Sequence, residues 1–450
     1  MMRPKSKLAW ALLPSLMLAT ASQASEVLRI DLPQALALAA ERNPGLAASS
    51  EHVKMAAAAE RATNGALFPR MDVGLNISRS NSALDTFGTR LLQHGITVAD
   101  FDPLRLNNPD YVTNYQPVAR LSWQLYDGGA NWARASQADA EFQASRLSHD
   151  TNSQQLALEV ISTYTGVRRA QAWLEASTRA RMAAEEHVAI ARALKTKDIA
   201  IQSDVLTANV YLLNARLAET GAANELATML DKLRVLLDQP SEVEIVLTGE
   251  PSLPENEMTL AELQDMAVHK RPDLLAIRTR QDAAEAGIGI SRAGFLPHLQ
   301  LVAQQEWNDD RVGLANGNTS VAGMVTMNIF SGGSDKAQLD SARAEVERWR
   351  LRIRDQEQRI RAEVARSWRE LSESRERLQA ETEALQQAQE ALRILKLRHE
   401  AGLERTADVL QSQAQLDRTQ AEFIRARYDA VLAQAQLRFS TGTLDEEVMH

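Results

Sequence analysis

The sequence predicts an α+β membrane protein, internally duplicated, in which long coiled-coil helices carry four short β-strands per chain. Three observations predict it. The chain opens like an exported protein, one pattern of residues is written twice, and in each copy strand-like alternation gives way to very long helical repeats.

The export signal comes first. Arg3, Lys5 and Lys7 precede an apolar stretch from Leu8 to Ala21, then Ser22-Gln23-Ala24 with small residues where a signal peptidase reads. A basic start, a short apolar core and a small-residue site make residues 1–24 a secretory signal. An N-terminal anchor fits less well, because the stretch is short for a span and Pro14 interrupts it. Cleavage there removes three positive charges and no acid, moving the formal net charge from −9 to −12. No basic patch stands out, which argues against a nucleic-acid partner. With no cysteine, disulfides, thiolate metal sites, cysteine nucleophiles and a lipid anchor on an N-terminal cysteine are excluded. No later apolar run is long enough for a transmembrane helix, so membrane entry requires a closed β-barrel.

The duplication is read from fixed offsets. Asp31-Leu32-Pro33-Gln34 lies over Thr259-Leu260-Ala261-Glu262 at an offset of 228, which also pairs Pro44 with Pro272, Leu46 with Leu274 and Pro69 with Pro297. Each copy opens with a helix-start signature, a cap residue followed three places later by Gln or Glu. Further on the offset is 204, pairing Gly128-Gly129 with Gly332-Gly333, Val160 with Val364, Asp204-Val205-Leu206 with Asp408-Val409-Leu410, and Leu233-Arg234 with Leu437-Arg438. The difference of 24 is one insertion in the first copy between Pro69 and Gly128, expected as an extracellular loop. The repeats are thus 25–238 and 259–450, with 239–258 as an irregular link holding Pro240, Pro251, Pro254 and a β-like run from Val243 to Leu247.

Period-two alternation places strands at about 70–79 and 117–126 in the first repeat and about 298–307 and 320–330 in the second. These lengths suit a bilayer, which a strand crosses in about 9–11 residues. A soluble sandwich edge would alternate in the same way; the export signal and the duplication favour the barrel. Helical patterns follow at about 128–196 and 204–237, and again at about 332–400 and 408–439. Val364, Leu371, Leu378, Leu385 and Leu392 recur every seven residues, with Ala388 and Leu395 at the alternate position, which is a left-handed coiled-coil repeat. At ~1.5 Å per residue the longer helices reach roughly 100 Å, against a bilayer core of about 30 Å. Four strands cannot close on themselves, since small barrels need about eight. The barrel is therefore shared between copies; two would give eight strands and three twelve, and strand arithmetic does not choose.

Taken in order, these residues resemble the TolC-type outer-membrane factor family over nearly the whole mature chain. The resemblance is carried by Leu32, Ala35-Leu36, Ala39 and Asn43-Pro44, by their copy Leu260, Arg271-Pro272-Asp273-Leu274, by the strand-to-helix turns Gly128-Gly129 and Gly332-Gly333, and by Ala401-Gly402, Thr406-Ala407-Asp408-Val409-Leu410. It implies a homotrimer with a twelve-stranded barrel in outer-membrane lipid and a helical barrel in the periplasm. It further implies docking to a periplasmic adaptor and an inner-membrane pump of the RND or ABC type, for efflux of small molecules or type I protein secretion. It implies no catalysis and no cofactor. The hairpin tips, with Asp198 and Ile199 in one and Gly402 and Leu403 in the other, would meet the adaptor. Asp198 stands where the second tip has Gly402, a departure from the repeat. Asp204, Asp408 and Gln411 would line the periplasmic constriction; for both aspartates a helix N-cap is the competing reading.

Enzyme chemistry has no support in the sequence. The eight histidines are scattered without metal-ligand spacing, and neither Gly-Gly pair carries the Lys-Ser/Thr of a phosphate loop. The rival classes are a periplasmic adaptor, which should have one hairpin between soluble β-domains, and a structural coiled-coil surface protein, which needs no strands. The acidic balance leads to the expectation of a cation-preferring pore.

Overall fold

The structure is a computed structural model, and it describes residues 27–197, 201–251, 258–401 and 403–444. The expected signal peptide, residues 1–24, lies outside the described residues.

Each repeat opens with two short helices. Helix α1 (Leu32–Arg42) follows strand β1 (Val27–Ile30) and begins on a capping box: Gln34 N–H donates to the Asp31 carboxylate at 2.9 Å, and Asp31 N–H to the Gln34 carbonyl at 3.1 Å. The reciprocal bonds satisfy two donors that a bare helix start leaves free. Asn43 ends α1 and caps α2 (Pro44–Gly65), while its amide reaches the Leu236 carbonyl at 3.1 Å. Strand β2 (Arg70–Ser80) then leads into the insertion. The insertion is not an open loop. It holds α3 (Ala83–Leu92), a 3-10 turn and α4 (Pro103–Asn107), pinned by an Arg90–Asp100 ion pair at 2.8 Å and an edge-on Phe87–Phe101 contact.

Strand β3 (Val112–Asp127) returns and passes into α5 (Ala130–Thr196), followed by α6 (Gln202–Leu236). Strand β4 (Glu244–Leu247) pairs parallel with β1. The second repeat runs α7 (Leu260–Lys270), α8 (Pro272–Ala293), β5 (His298–Trp307), β6 (Gly317–Thr326), α9 (Ser334–Glu400) and α10 (Thr406–Thr441). The starts of α7, α8 and β5 repeat those of α1, α2 and β2 at 228, and α9 repeats both ends of α5 at 204.

Strands β2, β3, β5 and β6 form one antiparallel sheet in that order. Two strand limits differ from the sequence reading. β3 is longer than 117–126 because it is the inner strand: β2 pairs it from Val112 to Ser122 and β5 from Val118 to Asp127. β6 starts earlier than 320 and stops at Thr326, although alternation continues to Phe330. Its partner runs out there, because the next β5 residue would be Pro297, which has no N–H to donate. A proline also interrupts the inner ladder. Tyr115 and Asp309 exchange both backbone hydrogen bonds, and two residues on, where the next exchange falls, stands Pro117.

The apolar core lies at mid-length of the helices, below the sheet. Val160, Ile161, Tyr164 and Leu233 pack with Leu36, Ile245 and Leu247; Val364 and Leu437, their repeats, pack with Leu263, Leu274 and Ile360. Along α9 the heptad stripe is buried or half-buried from Val364 to Leu395, so the seven-residue period marks the seam with its neighbours. Arg271, buried where α7 meets α8, ties the second repeat together. It pairs with Glu363 on α9 at 2.6 Å and Asp273 at 2.9 Å, and donates to the Ser440 carbonyl on α10. Among the described residues no helix is long and apolar enough to cross a membrane.

Candidate functional site

The sheet is a wall with two unlike faces. Register carries one apolar row across all four strands, Met71–Leu121–Ala303–Val321, and beside it one polar row, Asp72–Arg120–Gln304–Ser320. Alternation within each strand therefore becomes a property of the whole surface. The polar face is cross-linked: Arg120 donates to Gln304 at 3.0 Å, and Gln116 and Gln304 both donate to Glu306 at 2.9 and 3.0 Å. The apolar face is open. Val73 is 81 % exposed, Ile77 61 % and Val325 68 %, an apolar surface that water penalises and lipid does not.

Aromatic side chains mark the height of that face. Tyr115 and Trp123 both lie on it, and their separation along β3 is roughly 26 Å at ~3.3 Å per residue. Membrane barrels carry an apolar band of about 25 Å between aromatic girdles. The Trp123 indole donates to the Leu67 carbonyl at 3.1 Å, tying the lower end of that face to the segment that follows α2.

Glycine pairs turn the wall into the stalk. Gly128 and Gly129 have φ of +70° and +88°, and Gly332 and Gly333 repeat this at +65° and +88°. A Cβ on Gly128 would stand 2.7 Å from the Ala293 carbonyl oxygen, so only glycine fits. The helix that follows is capped from within: Asn131 N–H donates to Asp127 at 2.8 Å, and Asp335 N–H to Ser331, its repeat, at 3.3 Å.

Two antiparallel hairpins, α5–α6 and α9–α10, descend from the turns. Near their lower ends the Tyr211 hydroxyl on α6 donates to Asp417 on α10, which also accepts from Gln413 at 3.0 Å. Burial, reinforced by that carboxylate, pushes the Tyr211 hydroxyl far above the ordinary phenol range, so it remains a donor. Val188, Ala191, Val205 and Ala208 of the first hairpin pack on Leu410 of the second. Beside them His187 is half-buried, and its Nε2 has no hydrogen-bond partner. Burial, then the Lys396 ammonium, lowers its pKa.

Asp204 and Asp408 are each the third residue of their helix rather than the cap itself. Asp204 accepts the Ile201 N–H at 3.1 Å, while Asp408 pairs with Arg405 at 3.2 Å. Gln411 and Leu403 are exposed. Asp198, Ile199 and Gly402 lie outside the described residues. Sequence reasoning missed Tyr211, Asp417, His187 and Arg271; of these only Arg271 stood in a motif, as the residue before Pro272.

An open sheet, apolar on one face and polar on the other, on a double helical stalk defines a class: a component of an outer-membrane transport channel. The chain belongs to the outer membrane efflux protein family, whose model matches residues 35–239 and 263–443. Those two matches start 228 apart and end 204 apart, the offsets of the internal repeat. Among curated proteins the chain is 24% identical over 416 residues to the alkaline protease secretion protein AprF of Pseudomonas aeruginosa, covering 91% of this chain and 84% of AprF. It is 26% identical over 245 residues to the protein CyaE of Bordetella pertussis, covering 53% of this chain and about half, 52%, of CyaE. Among solved structures it superposes on the open-state MtrE outer membrane channel of Neisseria gonorrhoeae with a TM-score of 0.76 at 18% identity, covering 99% of both chains. A membrane protein from Pseudomonas aeruginosa gives 0.79 at 21% identity, with 91% and 93% covered. The family is one of transport proteins of the outer membrane, which sets the adaptor reading aside.

Proposed function

We propose that three copies of this chain join their sheets into a twelve-stranded barrel and their hairpins into a periplasmic tunnel, forming the passive exit duct of a tripartite export system. One observation carries the reading: β2 and β6 are the edges of a sheet whose apolar face is exposed, and neither outer edge has a strand partner among the described residues. In lipid such edges are not tolerated. Three copies are favoured over two because an eight-stranded barrel is filled by its own side chains or holds one small ligand, whereas a wider one leaves an aqueous lumen.

In this reading the energy comes from an inner-membrane pump of the RND or ABC type, reached through a periplasmic adaptor. Asp198, Ile199, Gly402 and Leu403 meet the adaptor; Asp204, Asp408 and Gln411 line the constriction. Gating splays the hairpin tips outward, which requires breaking the Tyr211–Asp417 bond. AprF is named for protease secretion and the similar TtgF of Pseudomonas putida for toluene efflux, so relatives at 24% and 23% identity are named for cargo of either kind. Reconstitution in planar bilayers tests the duct: discrete cation-preferring conductances support it, and a silent or anion-preferring protein contradicts it. Co-expression with an RND or an ABC pump and its adaptor tests the partner, through the cargo released to the medium.

A further inference from the structure

We propose that a cavity inside the helical stalk is a binding site for a small organic ammonium ion with an apolar body. The site lies within one chain, so it does not depend on how many copies build the barrel.

The cavity is bordered by three helices that come from both repeats. Trp173 and Ser177 stand on α5, Tyr211 on α6 and Asp417 on α10. Small side chains, Ala176 and Ala180 among them, leave the room between these helices. The volume is about 260 Å³. Pockets for drug-sized ligands hold roughly 300–1,000 Å³, so the occupant is smaller than those. Ala414, also on the border, is exposed, which leaves a way in.

Two polar groups in the wall are left with unused bonding capacity. Ser177 is 3 % exposed, and its Oγ has no hydrogen-bond partner. An unpaired buried hydroxyl is costly, and native structures rarely keep one. Asp417 is the one charged side chain on the cavity, and among the described residues it forms no ion pair. Its oxygens accept from Tyr211 and Gln413. A carboxylate offers about four acceptor sites, so about two stay open. Arg181, beside the lining residue Ala180, does not supply the missing cation, because Glu185 and Glu219 hold it at 2.9 and 2.7 Å. An ammonium group fits this wall. Its N–H groups donate to Asp417 and Ser177, and the indole and phenol rings attract its charge and cover its apolar body. An anion would be repelled by Asp417, and a neutral molecule would leave that charge unpaired.

Helix packing alone does not require these groups. At the offset of 204, Ala176 and Ala180 recur as Ala380 and Ala384, so the small residues belong to the way the hairpins are built. Trp173, Ser177 and Tyr211 are replaced there by Arg377, Glu381 and Gln415, and the counterpart of Asp417 is Leu213. Each hairpin thus folds without the groups that the other brings to the cavity. Because the walls come from both hairpins, a bound amine favours the arrangement in which they touch, to the extent that it binds that arrangement better. This last step rests on the duct reading, in which it holds the tip closed.

The probe is 2-phenylethylamine hydrochloride, titrated calorimetrically into the detergent-extracted protein at pH 7.5, with 2-phenylethanol as its neutral counterpart. The site predicts saturable binding of one amine per chain, with the alcohol weaker by about tenfold or more. Asp417→Asn should weaken the amine by a similar factor. Ser177→Ala should weaken it several-fold and leave the melting temperature unchanged or higher, because the hydroxyl bonds to nothing within the protein. That variant decides the matter if Asp417→Asn fails to assemble. No saturable binding, equal binding of amine and alcohol, or parent-like affinity in Ser177→Ala overturns the site. In planar bilayers the amine should lower the open probability; an unchanged or raised value in a protein that binds it overturns the bridging of the hairpins alone.

Discussion

Tyr211 of the first repeat is hydrogen-bonded to Asp417 of the second, a polar tie between the two hairpins near the level where Val188, Ala191, Val205 and Ala208 pack on Leu410. A bond to a charged acceptor contributes about 1.5–3 kcal/mol, and Gln413 keeps one donor on Asp417 when the phenol is removed. Tyr211→Phe should therefore fold normally and open more readily. The measurement is open probability and conductance in planar bilayers; an unchanged closed level would show that the tie does not hold the tip.

His187 should make the hairpin tip sensitive to acid. Its folded-state pKa is lowered, first by burial and then by Lys396, with Glu186 and Gln413 acting weakly the other way and His399 in the same direction. A depressed histidine costs stability once the unfolded chain takes up the proton, so the loss begins as pH falls through about 6.5 and grows below it. The melting temperature should drop between pH 7.5 and 5.5, and His187→Gln should flatten that slope. Parallel slopes for the two proteins would assign the acid effect elsewhere.

Gly128 and Gly332 occupy repeated turns with unequal surroundings. Alanine at either costs about 1–2 kcal/mol for the left-handed backbone. Only Gly128→Ala also drives a methyl into the Ala293 carbonyl. Thermal denaturation should show the larger loss at Gly128, whereas Gly332→Ala should show its main effect in the yield of assembled oligomer.

Asp408 tests the constriction. Its carboxylate is part-exposed and paired with Arg405 at 3.2 Å. If it rings the pore, Asp408→Asn removes one charge per copy and weakens block by divalent or multivalent cations. Block unchanged from the parent would leave Asp408 as a partner of Arg405 only.

Much of this architecture is legible in the sequence. Offsets of 228 and 204 recur in the limits of helices and in strand register, because duplicated hydrophobic periods and Gly-Gly turns survive as sequence pattern. Elements with no period of their own were hidden. Val27–Ile30 is four residues long and is a strand only because Glu244–Leu247 lies beside it. Ala83–Leu92 is a helix that Gly88 and the nearby Pro103 and Pro109 mask in the sequence, and the Arg90–Asp100 pair holds it. The end of β6 was misplaced because alternation reports the face a residue needs, while pairing depends on a neighbour. At the tip, Tyr211 and Asp417 are 206 positions apart, and no spacing rule joins them.

The most direct test of the account is the mass of the detergent-extracted protein by native mass spectrometry. The shared barrel predicts three chains per particle, separated only by denaturation, and a protein that leaves solution when detergent is removed. A monodisperse single chain, soluble in plain buffer, would contradict it.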